Sequence, residues 1–208
     1  MPYPPEPWEL RGSLHLSLWR LPDAELPGTP VETPPILVGG SGFVGTAWVV
    51  YGQGSVMEYN ELLTAVLVHD RLTPRVHISH IWVDSADSEQ GGRELWGIPK
   101  RQAEFQLRSS TGESRFSRVT SFAAGGIASA GFSRVASLPG AWPFAYRIAQ
   151  DLNGFQQTPV SGSSSVVWCT SSWRFEPDGP LGWLGGRRPV ASLALNDFAM
   201  RFGSEGAR

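Results

Sequence analysis

The chain has 208 residues, 41% of them hydrophobic, and a formal net charge of −2 at pH 7. That length is enough for a sizeable core, and we expect one domain over residues 1–208. The near-neutral charge argues against nucleic-acid and membrane partners, and no apolar run approaches the roughly 18 residues of a membrane helix. Because the single cysteine cannot form an internal disulfide and no signal-like segment is visible, we expect a cytoplasmic protein.

The composition favours a β-rich fold, because 24 glycines, 17 prolines and 9 tryptophans leave few stretches for a long helix. Alternating apolar and polar residues in Ser13–Trp19 predict the first strand, and Leu21–Pro35 is predicted as a loop. Val44–Tyr51 is apolar and partly β-branched, which predicts a second strand. Glu58–Val68 fits a helix or a strand equally well, whereas the β-branched and aromatic run Val76–Val83 predicts a strand.

The second half of the chain is predicted as further strands separated by turns. The polar stretch Asp84–Gly92 predicts a turn. Proline disfavours helical geometry in the residue before it, so any helix that carries Lys100 must begin at or after Pro99. Phe144, Ile148 and Leu152 recur at intervals of four, which predicts a short helix over Trp142–Asn153. The remaining predictions are strands in Ala103–Leu107 and around Phe116, Val119 and Phe122, with a break at Thr111–Gly112, a flexible Gly125–Gly140, and closing strands in Val166–Trp173 and Ala191–Phe202.

A glycine run in Ile36–Gly45 superficially matches a dinucleotide-binding fingerprint, with Gly40, Gly42 and Gly45 in G-x-G-x-x-G spacing. That fingerprint requires a helix after the third glycine and an acidic residue about 20 positions further on. The residues that follow, Thr46–Tyr51, are too few and too β-like for such a helix. We favour a glycine turn between strands and keep a nucleotide-binding oxidoreductase as an alternative.

Metal and hydrolase chemistry receive little support. His77 and His80 lie three apart in a predicted strand, so their side chains point to opposite faces and cannot meet at one ion. We therefore predict no metal site. The chain lacks a G-x-S-x-G elbow, and Cys169 has no flanking catalytic signature, so this cysteine is interpreted as a small core residue.

Lys100 is the one lysine among 17 basic residues, the other 16 being arginine. Arginine stays charged at any working pH, whereas a lysine amine can lose its proton and attack a carbonyl carbon to form a Schiff base. Lys100 is therefore the one side chain in this sequence that can carry such chemistry.

The segment around Lys100 resembles the acetoacetate decarboxylase family. The run GRELWGIPK at residues 92–100 is similar to the family's signature, a glycine-arginine-glutamate turn followed by an apolar residue, a proline and the Schiff-base lysine. Tyr59-Asn60-Glu61 is similar to the family's Tyr-x-Glu run, and Arg11 in WELRGS best matches its amino-terminal arginine. A looser resemblance extends over almost the whole chain.

The resemblance implies a mainly β (α+β) fold, a closed cone-like barrel with a few short helices, in a homo-oligomer without a cofactor. It implies that Lys100 is the nucleophile and that Glu61 handles protons or destabilises a substrate carboxylate. It also implies that Arg11 holds an acidic substrate, beside Tyr59 and Trp96 as further candidate substrate-binding residues. Arg101 stands where the family's decarboxylases have a second lysine.

The chemistry of amine nucleophiles supports these assignments independently of the resemblance. An amine with the ordinary pKa near 10.4 is only about 0.04% neutral at pH 7, so catalysis needs burial or a neighbouring cation to lower that pKa. Trp96, Ile98 and Pro99 are candidates for a dry wall, and Arg101 is the candidate cation, although adjacent residues point apart unless the backbone turns. Arg93 and Glu94 are expected to brace the turn.

The leading hypothesis is a Schiff-base-forming lyase acting on a β-keto acid or related carbonyl compound, most directly by decarboxylation through a Lys100 iminium. The same intermediate permits aldol, retro-aldol, dehydration or cyclisation chemistry. A pocket of the same fold that binds a hydrophobic carbonyl ligand without turnover is the alternative from a different class.

Overall fold

The computed structural model describes residues 3–111 and 118–204, and its strands form one continuous sheet. One α-helix, α1 (Ala86–Trp96), and two short 3₁₀ turns, Asp23–Glu25 and Gly182–Leu184, accompany the sheet in these ranges. The strands are β1 (Trp8–Pro22), β2 (Ser41–Tyr51), β3 (Tyr59–Asp70), β4 (Thr73–Val83), β5 (Lys100–Gln102), β6 (Phe105–Thr111), β7 (Arg118–Ala124), β8 (Ala128–Gln150), β9 (Gln156–Phe175) and β10 (Ala191–Phe202).

The sheet curls back on itself. Its strand order is β5-β4-β3-β2-β1-β10-β9-β8-β7-β6, and β8 additionally pairs with β4 where Ile148 lies beside Val76. Neighbouring strands are antiparallel, except that β4 pairs in parallel both with β8 and with β5, where Ile81 lies opposite Lys100. The predicted mainly β fold is confirmed. Lys100 is the first residue of β5, which pairs with β4, the strand that also pairs with β8.

Successive residues of the strands face two different apolar clusters, because side chains alternate across a sheet. On β3, Glu61 faces one cluster and Leu62 the other. We call the first the lysine chamber and the second the aromatic core. The lysine chamber includes Tyr3, Trp8, Leu10, Val49, Tyr51, Tyr59, Ile78, Ile81, Trp96, Ile98, Ile148 and Phe198. The aromatic core includes Trp19, Val44, Trp48, Leu62, Val66, Trp82, Phe122, Phe132, Val167, Cys169, Phe175 and Leu184, with Trp173 packed against it.

The predicted turn Asp84–Gly92 lies largely in helix α1, and Lys100 itself is in strand β5 rather than in a helix that begins at or after Pro99. Helix α1 starts at Ser85, whose hydroxyl accepts from the Ser88 amide at 3.2 Å, and ends at Gly97 with φ 61°. A serine N-cap and a left-handed glycine C-cap are standard helix ends, and a proline such as Pro99 is common one or two residues after the C-cap. The glycine pair 91–92 lowers helix propensity and obscured this helix in the sequence.

The predicted helix over Trp142–Asn153 is wrong, because this segment continues β8 as far as Gln150. An interval of four residues returns to the same face of a strand as well as of a helix, so Phe144 and Ile148 fit both periods. The predicted flexible Gly125–Gly140 also lies largely in β8.

Most of the other predicted strands fall within observed ones, whereas Ala103–Leu107 overlaps only the start of β6, from Phe105. The ambiguous Glu58–Val68 is β3 from Tyr59 onwards. The glycine run makes a tight turn into β2, with Gly39 and Gly40 at φ 58° and 73° and a backbone bridge between Val38 and Ser41. Phe116 and Gly112 lie outside the described residues. Within residues 3–111 and 118–204, no helix has the length and apolar character needed to cross a membrane.

Candidate active site

Lys100 is buried against helix α1, and two glycines make this contact possible. The lysine is 4% exposed at the start of β5. A Cβ atom at Gly92 would lie 2.7 Å from Lys100 Cδ, and one at Gly91 would lie 2.7 Å from the Trp8 ring. Side chains at these two positions would force the lysine and the tryptophan away from the helix, so the glycines allow Lys100 to lie along its surface.

The Lys100 amine has three polar neighbours. Its Nζ lies 3.0 Å from Glu61 Oε2, 2.9 Å from Ser88 Oγ and 3.4 Å from the Tyr59 hydroxyl oxygen. The Glu61 side chain is as buried as the lysine, at 4% exposed. The rings of Tyr59 and Trp8 lie 5.0 Å and 5.8 Å from Nζ, within the range of a cation–π contact. This surrounding favours a positive charge on the nitrogen.

Two opposing effects act on the pKa of Lys100. Burial lowers the pKa because the ammonium loses its hydration, and this is the largest single influence. The Glu61 carboxylate and the Tyr59 phenol raise the pKa, and together they outweigh burial, so it lies above its ordinary value. The substrate-free site therefore holds an ammonium–carboxylate pair. The expectation of a lowered pKa is wrong for this state, because the nearest charged neighbour is an anion.

Three tyrosines enclose Glu61 and stay protonated. Tyr51 donates to Glu61 Oε1 at 3.3 Å, and burial followed by the Glu61 charge raises its pKa well above the ordinary value. Burial also raises the pKa of Tyr59. Tyr146 is 39% exposed and lines the same cavity, where burial and then the Glu61 charge raise its pKa to about 12. The carboxylate thus has neutral O–H groups around it.

A cavity of about 200 Å³ opens in front of this pair. Lys100 and Glu61 are the only charged residues among the described residues that line it. The remaining walls are mainly apolar and come from β1, β2, β3, β4, β8 and β10 and from the end of α1 and the loop after it. Among them are Leu14, Val49, Ile78, Trp96, Phe144, Leu195 and Met200.

Arg101 and Arg11 do not reach this cavity. Arg101 follows Lys100 on a strand, so its side chain points to the other face of the sheet, where it is exposed. There its positive charge helps to lower the pKa of His80, although burial of the histidine is the larger cause. Arg11 is likewise exposed and lies one residue after Leu10, a cavity-lining residue. It lines a separate polar hollow together with His15. Neither arginine therefore lies where it was predicted: Arg101 is not the cation beside the Lys100 amine, and Arg11 does not face the cavity to hold an acidic substrate.

The other predicted residues are brought together. Tyr59, Glu61 and Trp96 all line the cavity with Lys100. Trp96 is 3% exposed and donates to Glu6 Oε2 at 3.0 Å. Arg93 donates to the Lys100 carbonyl at 3.0 Å. Glu94 accepts a hydrogen bond from Tyr3, so Arg93 and Glu94 brace the turn as expected.

Sequence reasoning missed Ser88, Tyr51 and Tyr146. Ser88 is fully buried in the first turn of α1, and its position on the predicted turn concealed it. Tyr51 pairs with Tyr59 across β2 and β3, so a correct hairpin register would have identified it. In the described part of the chain, no three His, Cys, Asp or Glu side chains converge to hold a metal ion.

A family match covers the residues that build this site. The sequence matches the acetoacetate decarboxylase family over residues 33–134, which include Tyr59, Glu61, Ser88 and Lys100. No protein with a curated description matches the chain in sequence.

Solved structures share the fold over nearly the whole chain. An acetoacetate decarboxylase superposes with a TM-score of 0.70 at 14% identity, covering 97% of this chain and 88% of that one. The acetoacetate decarboxylase of Legionella pneumophila gives a TM-score of 0.66 at 14% identity, with coverages of 97% and 86%. The enduracididine biosynthesis enzyme MppR, complexed with pyruvate, gives 0.67 at 16% identity, with coverages of 97% and 90%.

The curled sheet is the fold that the solved acetoacetate decarboxylases share, and the family match covers the strand and helix that hold Lys100. The resemblance to the acetoacetate decarboxylase family is confirmed by the sequence match and by the fold.

Proposed function

We propose that this chain is a Schiff-base-forming lyase that acts on a β-keto acid or related carbonyl compound, with Lys100 as nucleophile. The observation that carries the proposal is the single buried amine at an apolar cavity, 3.0 Å from the Glu61 carboxylate. A buried lysine beside a group that can take its proton is the arrangement that amine nucleophiles require.

Glu61 supplies the proton transfers of iminium formation. It takes a proton from the Lys100 ammonium, and the free amine adds to the substrate carbonyl carbon. A second proton then passes from the attacking nitrogen to the carbonyl oxygen, which gives a neutral carbinolamine. The resulting carbinolamine loses its hydroxyl as water when Glu61 returns the proton, which leaves an iminium. Because the iminium nitrogen is positive, the carboxylate that pairs with the ammonium at 3.0 Å also stabilises this intermediate.

Decarboxylation follows from the charges in the cavity. A β-keto acid brings a second carboxylate into a space whose one cation is the lysine nitrogen, already paired with Glu61. Loss of carbon dioxide moves the carbon–carbon bond pair to the iminium, which becomes a neutral enamine, and removes the crowded carboxylate. Protonation of the enamine carbon restores an iminium, and water then releases the ketone and Lys100.

Other chemistry of the same iminium is the second candidate. One structural neighbour, MppR, is described in complex with the condensation product of pyruvate and imidazole 4-carboxaldehyde, so a protein of this fold can hold the product of a condensation between two carbonyl compounds. Glu61 at the nitrogen is suited equally to aldol, retro-aldol, dehydration or cyclisation steps, each of which needs one proton moved. The homo-oligomer implied by the resemblance stays a prediction.

Borohydride trapping tests the nucleophile. Incubation with acetoacetate and sodium borohydride is expected to add the mass of one reduced ketone to the wild-type protein and none to Lys100→Ala. Lys100→Arg keeps the positive charge and serves as the matched control, since a pocket that only binds its ligand would tolerate it. An equal adduct in Lys100→Ala, or none in wild type with any carbonyl compound, overturns the proposal. Carbon dioxide release separates decarboxylation from the other reactions.

A further inference from the structure

The walls of the cavity indicate what the substrate carries besides its reacting carbonyl. Beyond the Lys100–Glu61 pair, the described lining residues are uncharged, and most are aliphatic or aromatic. Several come from the β8 and β10 strands, away from the lysine in sequence, among them Phe144, Leu195 and Met200. A ligand that reaches these walls must present apolar surface to them.

The charge balance excludes a second anionic group on the substrate. Lys100 is the one cation that lines the cavity within the described residues, and it is paired with Glu61. Arg11, the residue expected to hold an acidic substrate, lines the separate hollow beside His15. A carboxylate that survives the reaction would therefore be buried without a cation, and an unpaired buried charge is strongly unfavourable.

The size of the cavity agrees with an added apolar group. Its volume of about 200 Å³ exceeds the roughly 150 Å³ of an apolar cavity that holds benzene. Acetoacetate presents one methyl group to the apolar walls and would leave part of this space without contacts, at a loss of dispersion energy.

We propose that the preferred substrate is a carbonyl compound with an apolar substituent larger than methyl and no charged group except a carboxylate that the reaction removes. This inference rests on the proposed Schiff-base function and narrows its substrate class. It also predicts that a dicarboxylic keto acid is a poor substrate whichever reaction follows the iminium.

A substrate series tests the inference in the wild-type protein. Acetoacetate, 3-oxopentanoate and 3-oxohexanoate are compared with 3-oxoglutarate, which replaces the apolar end with a second carboxylate. We expect kcat/KM to rise by about fourfold for each of the first added methylenes, the effect of burying one such group. We expect 3-oxoglutarate to fall at least about 100-fold below 3-oxohexanoate, because whichever of its two equivalent carboxylates is lost, the other is buried unpaired.

Two variants link these ratios to the cavity. Ala65→Leu adds a larger side chain to the lining and is expected to move the preference back towards acetoacetate. Arg11→Met removes the arginine of the other hollow and is expected to leave every ratio unchanged. An Arg11→Met variant with selectively lower 3-oxoglutarate turnover would show that this arginine serves the substrate and would overturn the inference.

Borohydride adducts, measured with the same compounds, separate the two proposals. Adducts that form while acetoacetate or 3-oxoglutarate is the best substrate overturn the inference on substrate class and leave the Schiff-base function standing. The absence of an adduct with every compound overturns the proposed function and this inference with it. Adducts with the expected ranking support both.

Discussion

The aromatic core and the lysine chamber lie on opposite faces of the same strands, yet the core packs stacked aromatic rings whereas the chamber holds an apolar cavity with an ion pair. In the core, the Trp48 ring stacks on Phe122 at 5.3 Å and on Trp173 at 6.1 Å. In the chamber, the next residue of β2, Val49, borders a cavity of about 200 Å³ that also contains a buried ion pair. Close packing stabilises a fold, whereas a cavity and buried charges reduce its stability. The aromatic core therefore stabilises the fold that holds the reactive chamber open.

Glu61→Gln gives the largest expected effect on the chamber. The amide keeps a hydrogen-bonding group but cannot exchange protons with Lys100, and loss of such a group typically slows turnover by about 10²- to 10⁴-fold. Burial, which lowers the pKa of Lys100, then acts without the carboxylate that raises it. The neutral amine is the reactive form, so acylation of Lys100 should reach half its maximum at lower pH than in wild type.

Mass spectrometry of peptides after brief treatment with a neutral acylating ester, from about pH 6 to about pH 10, measures this profile at the single lysine. Glu58→Gln, an exposed glutamate three residues earlier, is the matched control and should keep the wild-type profile. A Glu61→Gln profile identical to wild type would show that the carboxylate does not control the amine.

Leu62 and Leu63 test the two faces of the sheet with one residue type. Leu62 is fully buried in the aromatic core, whereas its neighbour Leu63 is half-buried and lines the cavity. Leu62→Ala should reduce the free energy of unfolding by about 2–5 kcal/mol, as close-packed core sites do. Leu63→Ala should reduce it by about 1–2 kcal/mol, because less of its surface is buried.

Denaturant unfolding of both variants gives these values, and borohydride trapping reports on the chamber. We expect Leu63→Ala to change the ranking of carbonyl compounds and folded Leu62→Ala to keep it. Equal losses of stability, with trapping unchanged in both, would contradict the division of the sheet into a stabilising face and a reactive face.

The sequence predicted most of the strands and several residues of the chamber, and the failed predictions have physical causes. Alternation identified strands such as Ser13–Trp19, and the solitary lysine identified the residue that lies buried at the cavity beside Glu61. Helix α1 was missed because Gly91 and Gly92, which allow the close approach of Trp8 and Lys100, are the residues that disguise a helix. That close approach is a tertiary property and leaves no local pattern.

The site was predicted best where its residues share one strand face. Tyr59 and Glu61 are two apart on β3, so the strand period alone brings both to the chamber. The prediction for Arg101 was wrong by the same rule, because adjacent residues of a strand point to opposite faces and Arg101 directly follows Lys100. Ser88 could not be found from the sequence, since its contact with Lys100 depends on how α1 packs against β5.

The pH dependence of stability probes the aromatic face. His15 is 8% exposed and packs against Phe122 at 4.9 Å and Phe132 at 5.1 Å. Burial lowers its pKa from 6.5 to about 4. Between these two values the unfolded chain binds the proton more tightly, so the stability is complete above about pH 6.5 and falls by up to about 3 kcal/mol as the pH approaches 4.

His15→Leu removes this titration while it keeps an apolar side chain against the two phenylalanines. Burial also lowers the pKa of His77 and His80, so the variant should lose part of the acid sensitivity and keep a remainder. Unfolding free energies at about pH 7 and about pH 5 for wild type and variant measure the difference. If both proteins lose the same stability between these conditions, His15 is not held neutral by the aromatic core, and the core is wetter than its packing indicates.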